Sequence, residues 1–270
     1  MSIKADFACR LCGGRALKLY YTLGNDGQFR YFKCERCALV NYDLTGGLDQ
    51  AQYTSIFYDP ADGKQKKNLD KDQSFRFIQK TIKKPGSLLD IGCGTGRLMY
   101  LAKQAGWQVK GLELSAEMAE FVRQRVGVDV QVANFLEMVP DRDDLGRYDL
   151  VVLRHVLEHL PDSILAMEKI SALLKPGGCL LLEMPNIEGL SKKLSRTLVT
   201  LGLHKRRFSD DFVAGHCNEF SLESMRFLAR RCGFVLVRWE TYSMKRIPNW
   251  IYNRVHVGNK ARALLRLNTA

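Results

Sequence analysis

Ser87-Leu88-Leu89-Asp90-Ile91-Gly92-Cys93-Gly94-Thr95-Gly96-Arg97 is the stretch on which the reading of this chain turns. An apolar run is followed by an acid and then by three glycines at alternate positions. The run predicts a buried strand, the glycines a tight turn, and the residues from Arg97 onward a helix. Glycine reaches positive φ and lets a ligand approach without meeting a Cβ. A strand that feeds such a turn and then a helix N-terminus therefore frames a nucleotide-sized site.

Downstream, the same pattern repeats. Leu98, Met99, Leu101, Ala102 and Ala105 lie at helical spacing and stop at Gly106. Gln108 to Leu112 predicts a second strand, ending in Glu113. Ser115 is placed as an N-cap for a helix with Met118, Ala119, Val122 and Val126 on one face. Val128 to Val132 and Tyr148 to Leu153 predict further strands, and Cys179 to Glu183 a fifth after the break at Lys175-Pro176-Gly177-Gly178. Strands alternating with helices predict an α/β fold, a doubly wound, mostly parallel sheet covered on both faces. Ligands of such folds bind at the carboxyl ends of the strands.

The spacing narrows the ligand. A dinucleotide site would show GxGxxG. Here Asp90-x-Gly92-x-Gly94-x-Gly96 brings the third glycine one residue early, and Glu113 follows Gly96 by seventeen residues. A carboxylate at that place can accept both hydroxyls of a ribose. S-adenosylmethionine (SAM) has no pyrophosphate to neutralise, and its sulfonium and amino group suit an acidic loop.

These residues, together with Tyr148-Asp149-Leu150-Val151, His155-Val156-Leu157-Glu158-His159 and Leu174-Lys175-Pro176-Gly177-Gly178, resemble the class I SAM-dependent methyltransferases over about residues 75 to 240. The resemblance implies a Rossmann-like sheet of seven strands. It implies that Asp90, Gly92 and Gly94 line the methionine end, that Cys93 and Gly96 belong to the same cofactor-binding loop, and that Glu113 takes the ribose. Leu114 then flanks the adenine, with Asn134 and Phe135 at its edge, and Arg154 closes the set at the end of the fourth strand. Where Asn134 stands the family often has an acid. His155-Val156-Leu157-Glu158-His159 also matches the HxxEH signature of zinc peptidases. That signature belongs on a helix in an open groove, and here it follows a strand directly, so Glu158 and His159 are read as packing the next turn. His155 falls just past a strand end, where the methyl donor is expected to point.

Before this core, Cys9-x2-Cys12 and Cys34-x2-Cys37 are separated by twenty-one residues. Two such turns facing each other make a tetrahedral four-sulfur site for structural zinc. The apolar and aromatic runs between them, split by Gly24-Asn25-Asp26-Gly27, predict a hairpin. Residues 1–48 are thus read as a zinc ribbon. Residues 49–86 are read as a linker and lid: either a helix carrying Phe75, Phe77, Ile78 and Ile82 packs on the sheet edge behind a polar loop, or Tyr53, Phe57 and Tyr58 lie over the cofactor or substrate. The core runs over 87–245 with an insertion at 186–215, and 246–270 is read as a basic C-terminal helix.

The insertion interleaves Leu190, Leu194, Leu198, Leu201 and Leu203 with Lys192, Lys193, Arg196, Lys205, Arg206 and Arg207. Three readings stay open for it: a surface helix packed on the domain, a substrate lid, or an interfacial helix on anionic lipid. Next comes Gly215-His216-Cys217-Asn218-Glu219-Phe220-Ser221. A His-x3-Phe-Ser stretch here, with an N-terminal four-cysteine subdomain, resembles methyltransferases of sugar and natural-product pathways. In those enzymes this His, commonly preceded by Glu, removes a proton. Gly215 stands in place of that Glu, and the chain lacks their extra C-terminal domain, which argues against sugar C-methylation.

The chain has 270 residues and a net charge of +12. Six Lys and Arg and no acid fall between Thr241 and Ala270. This balance favours acidic partners such as a phosphorylated small molecule, nucleic acid or anionic lipid without choosing among them. No apolar run reaches the ~18 residues of a membrane helix, and the first residues lack an apolar signal core, so the sequence reads as cytoplasmic. The expected function is methyl transfer from SAM to a small-molecule or glycan acceptor, at oxygen, with His216 or His155 as general base. An RNA methyltransferase using the ribbon and basic surface, and a SAM-binding scaffold without activity, are the competing readings.

Overall fold

A computed structural model of the protein describes residues 5–48, 53, 72–203, 207–209, 212–243 and 249–269. Phe57, Tyr58, Lys205 and Arg206, which the sequence places in a lid and a basic insertion, lie outside the described residues. The chain divides into two compact units. One comprises Met1–Gln50, His155–Met167 and Leu182–Leu265, the other Ala51–Arg154, Glu168–Leu181 and Arg266–Ala270.

The second unit carries the alternating core. Asp72 caps α1 (Gln73–Thr81) by accepting from the Ser74 and Phe75 amides, and the helix buries Phe75, Phe77 and Ile78. After it come β4 (Ser87–Ile91), α2 (Arg97–Gln104), β5 (Gln108–Glu113), α3 (Ala116–Val126), β6 (Asp129–Val132) and β7 (Tyr148–Arg154). β4 pairs in parallel with β5 and β7, and β5 with β6. β4 is buried along its whole length, as a strand covered on both faces must be. Ser115 caps α3 through Met118 N, and Gly127 ends it in the left-handed region, where a Cβ would be disfavoured. The chain continues through α4 (Ser163–Leu173) into the long β8 (Leu174–Pro185).

The first unit starts with β1 (Leu17–Leu23) and β2 (Phe29–Cys34), the predicted hairpin, followed by β3 (Val40–Tyr42). β1 and β2 pair antiparallel, and β2 pairs antiparallel with β3. The ribbon sheet does not end there. β9 (Asn218–Glu219) adds a fourth strand, with Val40 opposite Glu219 and Asn41 opposite Asn218. The unit also holds α5 (Leu190–Thr200), α6 (Leu222–Arg231), β10 (Phe234–Tyr242), α7 (Asn249–Val255) and β11 (Lys260–Leu267). A reciprocal capping box between Ser221 and Ser224 starts α6. The larger sheet has seven strands, mostly parallel, in the order β10-β11-β8-β7-β4-β5-β6.

Two expectations change. The basic C-terminal helix is confined to α7, and Lys260–Leu267 is a strand. Ala261, Ala263, Leu264 and Leu265 are all buried, and a run apolar on both faces suits a strand inside a sheet better than a one-sided helix. α5 has the amphipathic spacing the sequence shows, but Leu190 and Leu194 are exposed. Its basic side is the packed one. The Arg196 guanidinium lies 4.7 Å from the Tyr20 ring centroid and donates to Tyr20 Oη at 3.0 Å and to the Ile187 carbonyl at 3.1 Å. Lys192 pairs with Glu219 at 3.3 Å. Tyrosine faces and a buried carboxylate hold these cations better than solvent would hold leucine, so the helix turns Lys192 and Arg196 inward while Lys193 stays exposed.

Candidate functional site

The residues singled out for the methyl donor all lie in the second unit. Asp90 is fully buried near the end of β4. Gly92, Gly94 and Gly96 have φ of +69°, +52° and +69°, which only glycine adopts without strain. Glu113, at the end of β5, latches this loop. Its Oε2 accepts from Gly94 N at 2.8 Å, and its Oε1 from Leu114 N at 2.8 Å and Ser115 N at 3.2 Å. Cys93 turns its thiol down into a cluster with Met99, Ala119 and Val122. Burial, with Asp90 and Glu113 nearby, pushes that thiol well above its ordinary pKa and keeps it protonated.

Asn134 uses its amide locally: Oδ1 accepts from Leu136 N at 3.1 Å and Nδ2 donates to Glu137 at 2.8 Å. Each amide atom keeps capacity for one more partner. Phe135 is buried beside it, and its carbonyl accepts from Lys169 at 3.3 Å. Arg154 donates to Asp72 Oδ2 at 3.0 Å, and Arg97 approaches the same oxygen at 4.0 Å. Burial raises the Asp72 carboxyl, but Arg154, the two α1 amides and Arg97 outweigh it and hold the group below its usual range. Asp72 was not singled out from the sequence. The signal available was its N-cap position before Ser74 and Phe75.

In the first unit the four ribbon cysteines are buried together. Cys9 Sγ lies 3.5 Å from Cys37 Sγ and Cys12 Sγ 3.5 Å from Cys34 Sγ, and all four sulfurs fall within 4.8 Å of one another. These spacings are far beyond a disulfide and close to the roughly 3.8 Å between sulfurs around a tetrahedral zinc. Asn41 Nδ2 donates to Cys9 Sγ at 3.5 Å, the kind of outer contact that orients a thiolate ligand. The hydrogen bond from Cys37 draws the Cys9 thiol down to about 4 and pushes Cys37 up, so this pair readily carries a thiolate. The donor set fits zinc, held by Cys9, Cys12, Cys34 and Cys37 with no position left for chemistry.

Arg10 leaves the first knuckle and ties the ribbon to 217–218. Its Nε donates to Asn218 Oδ1 at 3.2 Å, Nη1 to the Tyr42 carbonyl at 3.0 Å, and Nη2 to the Cys217 carbonyl. Tyr31 Oη donates to the His216 carbonyl at 3.2 Å. His216 is thereby fixed from the ribbon side. Its Nδ1 faces Glu219 Oε1 at 3.5 Å. Burial opposes charge on Glu219, but hydrogen bonds from His216 and Tyr21 and the charge of Lys192 hold it at about 2, ionised at neutral pH.

His155 has φ of +57°, a left-handed backbone rare for a residue with a Cβ. Its Nδ1 lies 3.2 Å from Glu158 Oε1 and its Nε2 3.5 Å from Lys260 Nζ. His159 Nδ1 is 2.7 Å from the Gly215 carbonyl, which can only accept, so Nδ1 carries the proton and Nε2 the lone pair. The His159 and His216 rings meet edge to face, with centroids 4.8 Å apart. The structure therefore gathers Glu158, His159 and His216, while His155 binds Glu158 from another side. Sequence spacing could not show this, because 56 residues separate His159 from His216.

A family profile described as a methyltransferase domain matches residues 66–238. The chain belongs to that family. Solved structures agree with this methyltransferase fold. A SAM-dependent methyltransferase from Methanosarcina mazei aligns with a TM-score of 0.54 at 17% identity, over 72% of this chain and 98% of that one. Magnesium protoporphyrin IX methyltransferase from Synechocystis PCC 6803, with bound SAH, aligns at 0.53 and 16% identity, over 74% of this chain and 82% of that one. Ubiquinone biosynthesis O-methyltransferase from Xanthomonas campestris pv. campestris (strain B100) is 31% identical over 116 residues, 41% of this chain and 48% of that protein. The same-named protein of Bordetella avium (strain 197N) is 35% identical over 95 residues, 34% and 39% of the two. The chain spans about half the length, or less, of these curated relatives.

In this methyltransferase domain the turn at Gly96 tolerates nothing larger. A Cβ there would sit 2.6 Å from Val122 Cγ1, at a φ of +69°. Gly96→Ala is expected to lower stability by about 2–4 kcal/mol in denaturant unfolding, from left-handed strain and overpacking together. Among the described residues no helix is long and apolar enough to cross a membrane.

Proposed function

We propose that the chain transfers a methyl group from SAM to an oxygen of a small-molecule or glycan-type acceptor. The observation that carries this reading is the Glu113 latch on a loop of three positive-φ glycines beside buried Asp90, in a member of the methyltransferase family. Asp90, Gly92 and Gly94 take the amino-acid end of SAM, with the backbones of Cys93 and Gly96 shaping the turn. Glu113 takes the ribose, and Leu114, Asn134 and Phe135 border the adenine. Arg154, held by Asp72, closes the charged side. Oxygen is favoured because the curated relatives are O-methyltransferases by name. Zinc, held by Cys9, Cys12, Cys34 and Cys37, braces the ribbon and through Arg10 the segment carrying His216.

Methyl transfer from a sulfonium needs mainly an in-line nucleophile at about 3 Å and somewhere for its proton to go. His216, oriented by Glu219, and His155, oriented by Glu158, are the proposed bases. Incubation with methyl-labelled SAM and fractionated cell extract tests the acceptor. Label is expected in small molecules or glycolipid, and label in RNA overturns that class. With an acceptor in hand, alanine at whichever histidine is the base should cut turnover by about 10²–10⁴. Full rate in both His155→Ala and His216→Ala would remove the imidazole base.

A further inference from the structure

We infer that Glu158, His159 and His216 form a binding site for one divalent transition-metal cation, separate from the four-cysteine cluster. One carboxylate oxygen of Glu158 and one nitrogen of each imidazole lie within 4.8 Å of one another. Glu158 is only 1% exposed, and its Oε2 has no hydrogen-bond partner among the described residues. A buried carboxylate oxygen left without a donor is costly, and beside two imidazoles a cation supplies what it lacks.

The tautomers point the same way. The Gly215 carbonyl fixes the His159 proton on Nδ1, and Glu219 faces Nδ1 of His216. Coordination by either ring would therefore run through Nε2, the arrangement by which metal-binding histidines are oriented from outside. Two imidazoles and one carboxylate suit Zn²⁺, Mn²⁺ or Fe²⁺ and leave coordination positions open. His155 is not a member. Its Nδ1 is spent on Glu158 and its Nε2 faces the Lys260 ammonium. The three residues need to close from 4.8 Å to roughly 3.4 Å for tetrahedral binding, a movement within reach of side-chain rotation.

As regards chemistry, the inference rests on the proposed oxygen methyl transfer. An acceptor hydroxyl on the open position of the cation would lose its proton to water more easily. The oxyanion lone pair then forms the C–O bond as the C–S bond of the sulfonium breaks, and sulfur keeps that electron pair as a neutral thioether. His216 on this account serves as a ligand in place of the base role proposed above, and the proton leaves to water.

The test uses the full chain with all four cysteines present. Mn²⁺ alone is titrated and followed by its EPR signal, and bound zinc is measured by elemental analysis after Zn²⁺ loading. Wild type is expected to hold one more equivalent of metal than Glu158→Gln or His216→Gln, with Mn²⁺ affinity at least tenfold weaker in each variant. His155→Gln should keep Mn²⁺ affinity within threefold of wild type. Equal metal content in wild type and variants, or no Mn²⁺ or second zinc bound by wild type, overturns the site. Should Glu158→Gln fail to fold, His216→Gln, whose side chain is one-third exposed, carries the comparison with circular dichroism as its check. Full methyl transfer from metal-stripped protein would sink the catalytic role of the cation while the methyltransferase reading stands. Metal binding without transfer to any extract fraction would do the reverse.

Discussion

Glu113→Ala should weaken SAM binding at least a hundredfold by calorimetric titration, and lower the melting temperature as well. A hundredfold loss is about 2.7 kcal/mol. The carboxylate holds three backbone amides, those of Gly94, Leu114 and Ser115. Hydrogen bonds to a charged acceptor contribute about 1.5–3 kcal/mol each, and a buried donor left alone costs about 1–3 kcal/mol. Removing the group therefore frees the glycine turn and deletes the proposed ribose acceptor together. Glu113→Gln separates the two effects. One amide oxygen can still accept, but the –NH2 meets an N–H, so affinity should fall between wild type and alanine. An unchanged SAM affinity in Glu113→Ala would take this residue out of the cofactor site.

The second large effect is expected from Cys34→Ser. Three thiolates and a hydroxyl make a poor zinc site, and the free energy of a structural zinc is folding free energy. The purified variant should carry no ribbon zinc. Amide exchange should rise by orders of magnitude over β1, β2 and β3, and also over 216–219, which Arg10, Tyr31 and the β3–β9 pairing hold to the ribbon. SAM affinity should change less than threefold, since every proposed cofactor residue lies in the other unit. Retained zinc with native exchange at 216–219 would refute a bracing role.

What could be read from the sequence was what neighbouring residues dictate. The glycine loop was legible because positive φ is a local demand, and all three glycines meet it. The cysteine pairs were legible because two CxxC turns carry their own geometry, and the four sulfurs converge. Less legible was anything decided by distant partners. α5 was recognisable as amphipathic, but Tyr20 and Glu219 decided which face packs. The sequence of the last strand, which mixes apolar with basic residues, reads as a basic helix, whereas Arg262 is buried against Glu183. Asp72 and Glu158 gain their meaning from Arg154 and His216, which no spacing rule connects to them.

The four-stranded ribbon sheet also has a consequence for synthesis. Its first three strands are complete by Tyr42, but β9, which covers the β3 edge, is made roughly 180 residues later. At about 5–20 residues per second, that edge waits on the order of 10–35 s on the ribosome. An uncovered edge is a template for pairing with another chain. Early metal capture by the four cysteines would hold the nascent hairpin in register during this interval. Zinc starvation should then reduce the yield of folded protein during translation more than chelation harms protein already complete.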